Sequence, residues 1–346
     1  MENDINKDTE QRECLTASVD RVGIGSSVVI STNRWSNHAE ALSLKRRFRW
    51  SEFVAEKLIL LTSLGSLGFI VLIFVFVFRE ASSLFFDPLI RMEVSWGNLL
   101  SSTWQPVSDE AKYGLLPLLA GTFKVTVIAV LIGAPIAVLA ALFTATLAPR
   151  WARESMKPAI EILAGFPSIV IGFFALTTLA SIVQSFTGTP FRLNAFVGGL
   201  ALSFAVIPII YTISEDALSA IPKSLREASL ALGASRAQTS FRVLLPAAAP
   251  GIFAAILLGI GRAFGETMIV LMATGNAPML SFGPLEPVRT MSATIGAEMA
   301  EVVFGDSHYS VLFLIGLILF MFTFIINGIA EFGIRQRLLK RFQGAS

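Results

Sequence analysis

Two ionisable residues interrupt an apolar run near the C-terminal third of the chain. They are Arg262 and Glu266, within Leu258-Gly259-Ile260-Gly261-Arg262-Ala263-Phe264-Gly265-Glu266-Thr267. A charge at the centre of a bilayer costs at least ~2.5–3.5 kcal/mol, so it must face protein or water rather than lipid. Counting from Gly251 at about 1.5 Å per residue puts Arg262 midway across a membrane. Glu266 follows four residues on, which in a continuous helix places it on the same face. Gly261 and Gly265 form a small-xxx-small pair that admits a close neighbour. In chemical terms, the guanidinium attracts an anion and the carboxylate accepts a hydrogen bond from a protonated oxyanion. A site built around such a bond rejects an analogue that lacks the proton. The competing account is a salt bridge that only lets two charges survive in a bundle. Inside a membrane an ionisable residue is a pathway candidate by default. Lys124 is a second intramembrane base. Snorkelling to the interface accounts for it, with a place on the pathway as the other reading.

The elements that must hold these residues are membrane helices. Of the 346 residues, 54% are hydrophobic and only 15% charged, against about a quarter charged in soluble domains. Mean hydropathy is +0.69. A span needs about 20 apolar residues, and six stretches supply them: Leu58–Phe78, residues 119–147, Ile160–Val183, Ala195–Ile213, Gly251–Thr274 and Tyr309–Ala330. The expected fold is all-α and polytopic. Residues 1–50 read as a polar tail without a secretory-signal pattern, with Val28–Ile30 as its one strand-like run. Residues 51–114 hold the first span and an outer segment whose Trp96 and Trp104 suit a membrane interface. Residues 115–335 form the core, and 336–346 a basic end. The single cysteine, Cys14, cannot form an internal disulfide, and no metal-binding pattern accompanies it.

Between the fourth and fifth spans lies a polar, helix-prone stretch, residues 214–246. Ser224 and Glu227 read as a capping box that starts a helix, and Ser235 with Gln238 as a second. Gly233 can end the first helix in a left-handed conformation, and Pro246 stops or re-aims the chain. The product is a helix–glycine–helix knuckle. Basic residues fix its side. Lys45–Arg49, Arg150, Arg153, Lys157, Lys223, Arg226, Arg236 and Arg335–Arg341 fall on one face, whereas Arg79, Arg91, Lys112, Arg192 and Arg289 fall on the other. That asymmetry puts both termini and the knuckle in the cytoplasm.

Glu227-Ala228-Ser229, Gly233 and Val243-x-Leu245-Pro246 resemble the EAA loop of ABC-importer permeases, E-A-A-x3-G-x9-I-x-L-P, with serine and valine as the two departures. The resemblance implies a type I importer permease fold in a bacterial inner membrane. It also implies that Glu227, Ala228, Gly233, Leu245 and Pro246 belong to a coupling helix seated on a separate ATPase. Leu163–Phe174, Gly261–Thr267, Ser307-His308-Tyr309-Ser310 and Pro117–Trp151 are similar to phosphate permeases of the PstC type. That likeness implies a PstA-type partner permease, two PstB-type ATPases and a PstS-type periplasmic binding protein. It also implies transport roles for Arg262 and Glu266. The chain has no G-x-x-x-x-G-K-[ST], so it is expected to bind no cofactor itself; ATP and magnesium belong to the partner ATPase. Nucleic acid is not an expected partner, and lipid is. Other readings are a sulfate or molybdate permease, the PstA-type sister, or, in another class, a secondary transporter or channel. An intramembrane enzyme is poorly supported, because His38 and His308 are the only histidines and H-E-x-x-H is absent.

Overall fold

The structure, a computed structural model, describes residues 50–331. The polar tail with Cys14 and His38, the Val28–Ile30 run, the first basic cluster and the terminal bases Arg335–Arg341 lie outside the described residues. Among the described residues, six helices are long and apolar enough to cross a membrane: Glu52–Phe86, Leu116–Leu147, Ser168–Thr187, Ala195–Ser219, Arg236–Gly265 and Ser307–Glu331. They are numbered here as spans one to six. The expected number of spans holds, but several boundaries move.

Helix α1 (Trp50–Phe86) carries the first span and is longer than the apolar run alone. Its residues divide at Gly68 between two compact units. The N-terminal part is exposed on every face, which suits a helix that is apolar all round and surrounded by lipid or another subunit.

The second unit begins at Phe69. Its outer segment is more structured than the sequence suggested. Helices α2 (Pro88–Glu93) and α3 (Trp96–Leu99) lead to a two-residue hairpin, β1 (Trp104–Gln105) against β2 (Lys112–Tyr113), with Trp104 opposite Tyr113. Trp104 is not an interface residue as expected; it is 3% exposed, within an apolar cluster with Leu84, Tyr113, Leu118, Met291 and Leu312. Its indole N–H donates to Glu298 at 3.2 Å. An indole buried in this way needs a partner, and the carboxylate also holds Arg289 at 2.7 Å and His308 at 2.9 Å.

Span two is α4 (Leu116–Leu142) followed by a π-helical turn, Phe143–Leu147. It packs against span four, α8 (Ala195–Ser219). The seam is made of small residues, as membrane helices require when dispersion rather than hydrophobicity holds them. A Cβ on Gly199 would lie 2.5 Å from Ile128 Cγ2.

The third span differs most from expectation. Helix α5 (Arg150–Gly165) ends at Phe166-Pro167, and the span itself is α6 (Ser168–Phe174), a π-turn (Ala175–Leu179) and α7 (Ala180–Thr187). Residues 160–165 therefore belong to an amphipathic helix before the span. Pro167 disfavours helical backbone at Phe166, which is extended at φ −65°, ψ 127°.

The fifth span also shifts. After α9 (Lys223–Ala231) and α10 (Arg236–Thr239), a π-turn at Ser240–Leu244 runs directly into α11 (Leu245–Gly265). Pro246 therefore does not stop the helix. It sits in the first turn of α11, where a missing N–H is tolerated. Beyond Gly265 come the short α12 (Met268–Ala273), an outer connection, and α13 (Met291–Glu298). Helix α14 (Ser307–Gly328) forms the sixth span.

Two stability predictions follow from the outer half. A Cβ at Gly121 would collide with the Arg289 carbonyl oxygen, which is backbone and cannot swing aside. Gly121→Ala should therefore cost about 1–3 kcal/mol, read as a lower unfolding midpoint of the detergent-purified protein. At Glu298, burial alone pushes the carboxyl up, but the His308 hydrogen bond, the Arg289 charge and the Trp104 indole outweigh it and hold the group below its ordinary range. A depressed carboxyl contributes stability above its unfolded value, about 4.3, and loses it as pH falls through the lower folded value. Acid unfolding below about pH 4 should thus be blunted in Glu298→Gln. That variant should also be less stable at pH 7 by on the order of 3 kcal/mol, because the Arg289 guanidinium is left buried without its carboxylate.

Candidate functional site

The knuckle is built from local rules. Helix α9 starts two residues earlier than a Ser224–Glu227 box would allow. Pro222 is the N-cap, at φ −55°, ψ 134°, and makes no side-chain cap bond. The expected first capping box is therefore absent, because the proline's preset backbone begins the helix before Ser224 can cap it. The end is as expected. Gly233 adopts φ +84°, the Gly233 N–H donates to Leu230 O at 3.0 Å and the Ala234 N–H to Leu230's neighbour Ser229 O at 3.3 Å. This is a Schellman closure. The second capping box is present in full: Gln238 N–H donates to Ser235 Oγ at 3.2 Å and Ser235 N–H to Gln238 Oε1 at 2.9 Å.

No residue of α9 is buried. Glu227 and Ala228 are exposed, as are the apolar Leu225, Leu230 and Leu232. Arg226 and Ser229, three apart and so on one face, are half-buried. Ser229 lies 3.0 Å from Thr239 Oγ1, across the glycine bend. The hydroxyl at this position, where the importer pattern has alanine, ties the two knuckle helices together. Leu245 packs half-buried on the core, while Pro246 is exposed. Both belong to the root of span five rather than to the projecting helix.

The intramembrane pair is arranged differently from the sequence expectation. Helix α11 ends at Gly265, and Glu266 is its C-cap with extended backbone, φ −69°, ψ 131°. Glu266 is therefore not one helical turn beyond Arg262 on a shared face. Glycine at the last helical position weakens the helix there, and the backbone leaves it. Because span five begins at Arg236, Arg262 lies in the last turn of the span rather than midway along it. A cation there complements the negative end of the helix dipole. The Gly261/Gly265 pair is half realised. A Cβ at Gly261 would meet Asn327 Oδ1 of span six at 2.9 Å, whereas Gly265 has open space around it.

Arg262 is exposed on this chain and Glu266 half-buried. Among the described residues no ion pair joins them. The Glu266 backbone is fixed: its N–H donates to Ala263 O at 3.3 Å, and its carbonyl accepts from Ser292 Oγ at 2.6 Å. The break is thus held from α13.

Lys124 does not join that pair; its side chain reaches the outer connection. Its ammonium donates to Ser281 O, to Ser281 Oγ at 3.0 Å and to Gly283 O at 3.1 Å. An ammonium has three donors, and all three hold the outer connection. Sequence reasoning missed the Trp104–Arg289–Glu298–His308 group, whose members lie far apart in the chain. The nearest signal was Pro106, Ser108 and Asp109 between Trp104 and Tyr113, turn residues flanked by two aromatics.

Residues 133–336 match the model of the family described as "Binding-protein-dependent transport system inner membrane component". The chain is 39% identical over 227 residues to the probable ABC transporter permease protein YqgH of Bacillus subtilis (strain 168), covering 66% of this chain and 74% of that protein. It is 34% identical over 253 residues to the phosphate transport system permease protein PstC of Mesorhizobium japonicum, covering 68% and 76%. Among solved structures, a chain of a bacterial ABC transporter that imports the acidic polysaccharide alginate superposes with a TM-score of 0.55 at 13% identity, over 83% of this chain and 98% of that one. That likeness concerns the fold. The family match spans more than half of the chain, from the middle of span two through the knuckle to span six. The protein therefore belongs to the inner-membrane components of binding-protein-dependent transport systems, as a multi-pass permease subunit of an ABC importer and not an enzyme.

Proposed function

We propose that the imported solute is inorganic phosphate. One observation carries this reading: the likeness over two thirds of the chain to proteins named phosphate transport system permease protein PstC. The geometry around the α11 break supports it. Arg262 offers a guanidinium with no carboxylate partner among the described residues, and Glu266 sits where the helix is interrupted. Interrupted helices frame solute sites in other transporters because freed backbone is tolerated only beside a cavity. Hydrogen phosphate carries a proton that Glu266 can accept in a hydrogen bond; sulfate carries none.

In this reading both termini and the knuckle are cytoplasmic. The partners are a PstA-type permease, two PstB-type ATPases that hold ATP and magnesium, and a PstS-type periplasmic binding protein. The exposed helix α9, with Glu227 and Ala228, meets the ATPase, and Gly233 gives the bend behind it. Leu245 and Pro246 root the assembly in span five. ATP-driven closure of the ATPases moves α9, and the spans rock as rigid bodies between inward-open and outward-open states. The loaded binding protein then delivers phosphate towards Arg262. Lys124 takes no part beyond anchoring the outer connection.

Uptake of labelled phosphate, sulfate and molybdate by the assembled complex in vesicles tests the solute. Phosphate alone should accumulate. Glu266→Gln should lower phosphate uptake about tenfold or more, the scale of one charge-assisted hydrogen bond at about 1.5–3 kcal/mol; uptake at the parent rate would refute the role given to Glu266. Gly233→Ala must hold a side chain at φ +84°, a strain of about 1 kcal/mol. It should weaken ATPase co-purification before it affects folding of the spans. Labelling of single cysteines placed in residues 214–246 checks the orientation, and access from the periplasmic side would overturn it.

A further inference from the structure

The knuckle is covalently continuous with spans four and five. Span two reaches it through side chains. The last carbonyls of a helix have no intrahelical donor, and span two ends at Leu147, where Ala148 turns extended. Three successive carbonyls there are taken by arginines. Arg153 Nε donates to Thr144 O at 2.9 Å and its terminal nitrogen to Ala145 O at 3.0 Å. Arg226, from the middle of α9, donates to Thr146 O at 2.5 Å. Beside it, Ser240 Oγ donates to Thr146 Oγ1 at 2.9 Å.

These contacts differ in what they join. Arg153 follows span two directly in the chain and ties the helix end to its own continuation. Ser240 belongs to the root of span five. Among these contacts, only Arg226 comes from the projecting helix itself. It is half-buried in a helix that buries nothing, so it faces the permease while Glu227 and Ala228 face away. Through the Gly233 bend and the Ser229–Thr239 contact, a tilt of α9 passes to the root of span five. A tilt passes to span four along the backbone. It reaches span two where the guanidinium grips the helix end, with its charge against the negative pole of the dipole.

We propose that Arg226 is the positioning residue that carries movement of the coupling helix to span two, so that spans two and four move together. This rests on the reading that the ATPase acts on α9. The test uses the full complex with its ATPases and binding protein, reconstituted in vesicles. Phosphate uptake and ATP hydrolysis are measured on the same preparation. Arg226→Gln should lower uptake per ATP hydrolysed about fivefold or more, with the ATPases still bound at the parent stoichiometry. Arg226→Lys, which keeps the charge and loses the planar donor fork, should fall between. Arg153→Gln removes two caps from the same helix end without touching α9. It should lower the unfolding midpoint and leave the coupling ratio at the parent value. A merely structural cap predicts equal ratios for both glutamine variants, and that result overturns the proposal, as does a parent ratio in Arg226→Gln. Should Arg226→Gln not assemble, Arg226→Lys carries the same readout. Failure of the underlying reading looks different: a complex that carries Glu227→Cys and is otherwise the parent then shows no cross-link to an ATPase subunit.

Discussion

Lipid offers no hydrogen-bond partner, so every backbone group that a helix end or break frees must be answered from within the chain. That constraint accounts for much of the polar chemistry in this permease. The end of span two is closed by Arg153 and Arg226. The π-turn in span three leaves carbonyls that Arg192 takes, from Leu176 at 2.7 Å and Thr177 at 3.1 Å. The outer connection hangs its carbonyls on Lys124. Helix starts are met in the same way, by Asn194 at span four, Thr290 at α13 and Asp306 at span six. Even the first N–H of α13 finds Thr122 Oγ1 of span two at 3.0 Å. Bases that read in the sequence only as signals of membrane orientation are, at several positions, caps on helix ends and breaks.

The knuckle meets a different constraint. Its helices are short and buried on almost no face, so packing alone cannot hold them, and isolated helices of this length are marginal in water. They persist because each end is closed: Pro222 and the Schellman bend for the first, the Ser235–Gln238 box for the second. Ser229 to Thr239 and Arg226 to Thr146 then pin the pair to the bundle. The outward side, freed from structural duty, leaves Leu225, Leu230, Glu227 and Ala228 exposed.

The sequence made the number of spans, the knuckle and its glycine bend legible, because each rests on local rules of apolar length, capping and turn chemistry. What it hid were features decided by tertiary partners. Pro246 reads as a stop, yet the π-turn before it lets the helix run on. The apolar content of Ile160–Gly165 reads as membrane, yet Pro167 breaks the chain and assigns those residues to an amphipathic helix. Trp104 reads as an interface residue, yet a carboxylate almost two hundred positions away in sequence makes it core. Lys124 could not be placed from its own segment, since its acceptors lie on a connection with no strong pattern. The four-residue spacing of Arg262 and Glu266 was seen correctly but given the wrong geometry, because helical spacing holds only while the helix does.

That last difference changes the chemistry of the pair. On one continuous face, Arg262 and Glu266 would neutralise each other and little would remain for a solute. The break at Gly265 separates their backbone conformations. Ser292 and Ala263 satisfy the Glu266 peptide, so its side chain is not needed to cap anything. Arg262 has the helix dipole as its stabilising neighbour, and among the described residues it binds no carbonyl in the way Lys124, Arg153, Arg192 and Arg226 do. A charge committed to a backbone cap cannot leave it without exposing the carbonyls beneath. A charge held by a dipole and a break can exchange partners at small cost. Exchange of partners is what a solute passing through must offer and receive, which is why the proposed phosphate reading assigns the solute to the α11 break rather than to the bases along the spans.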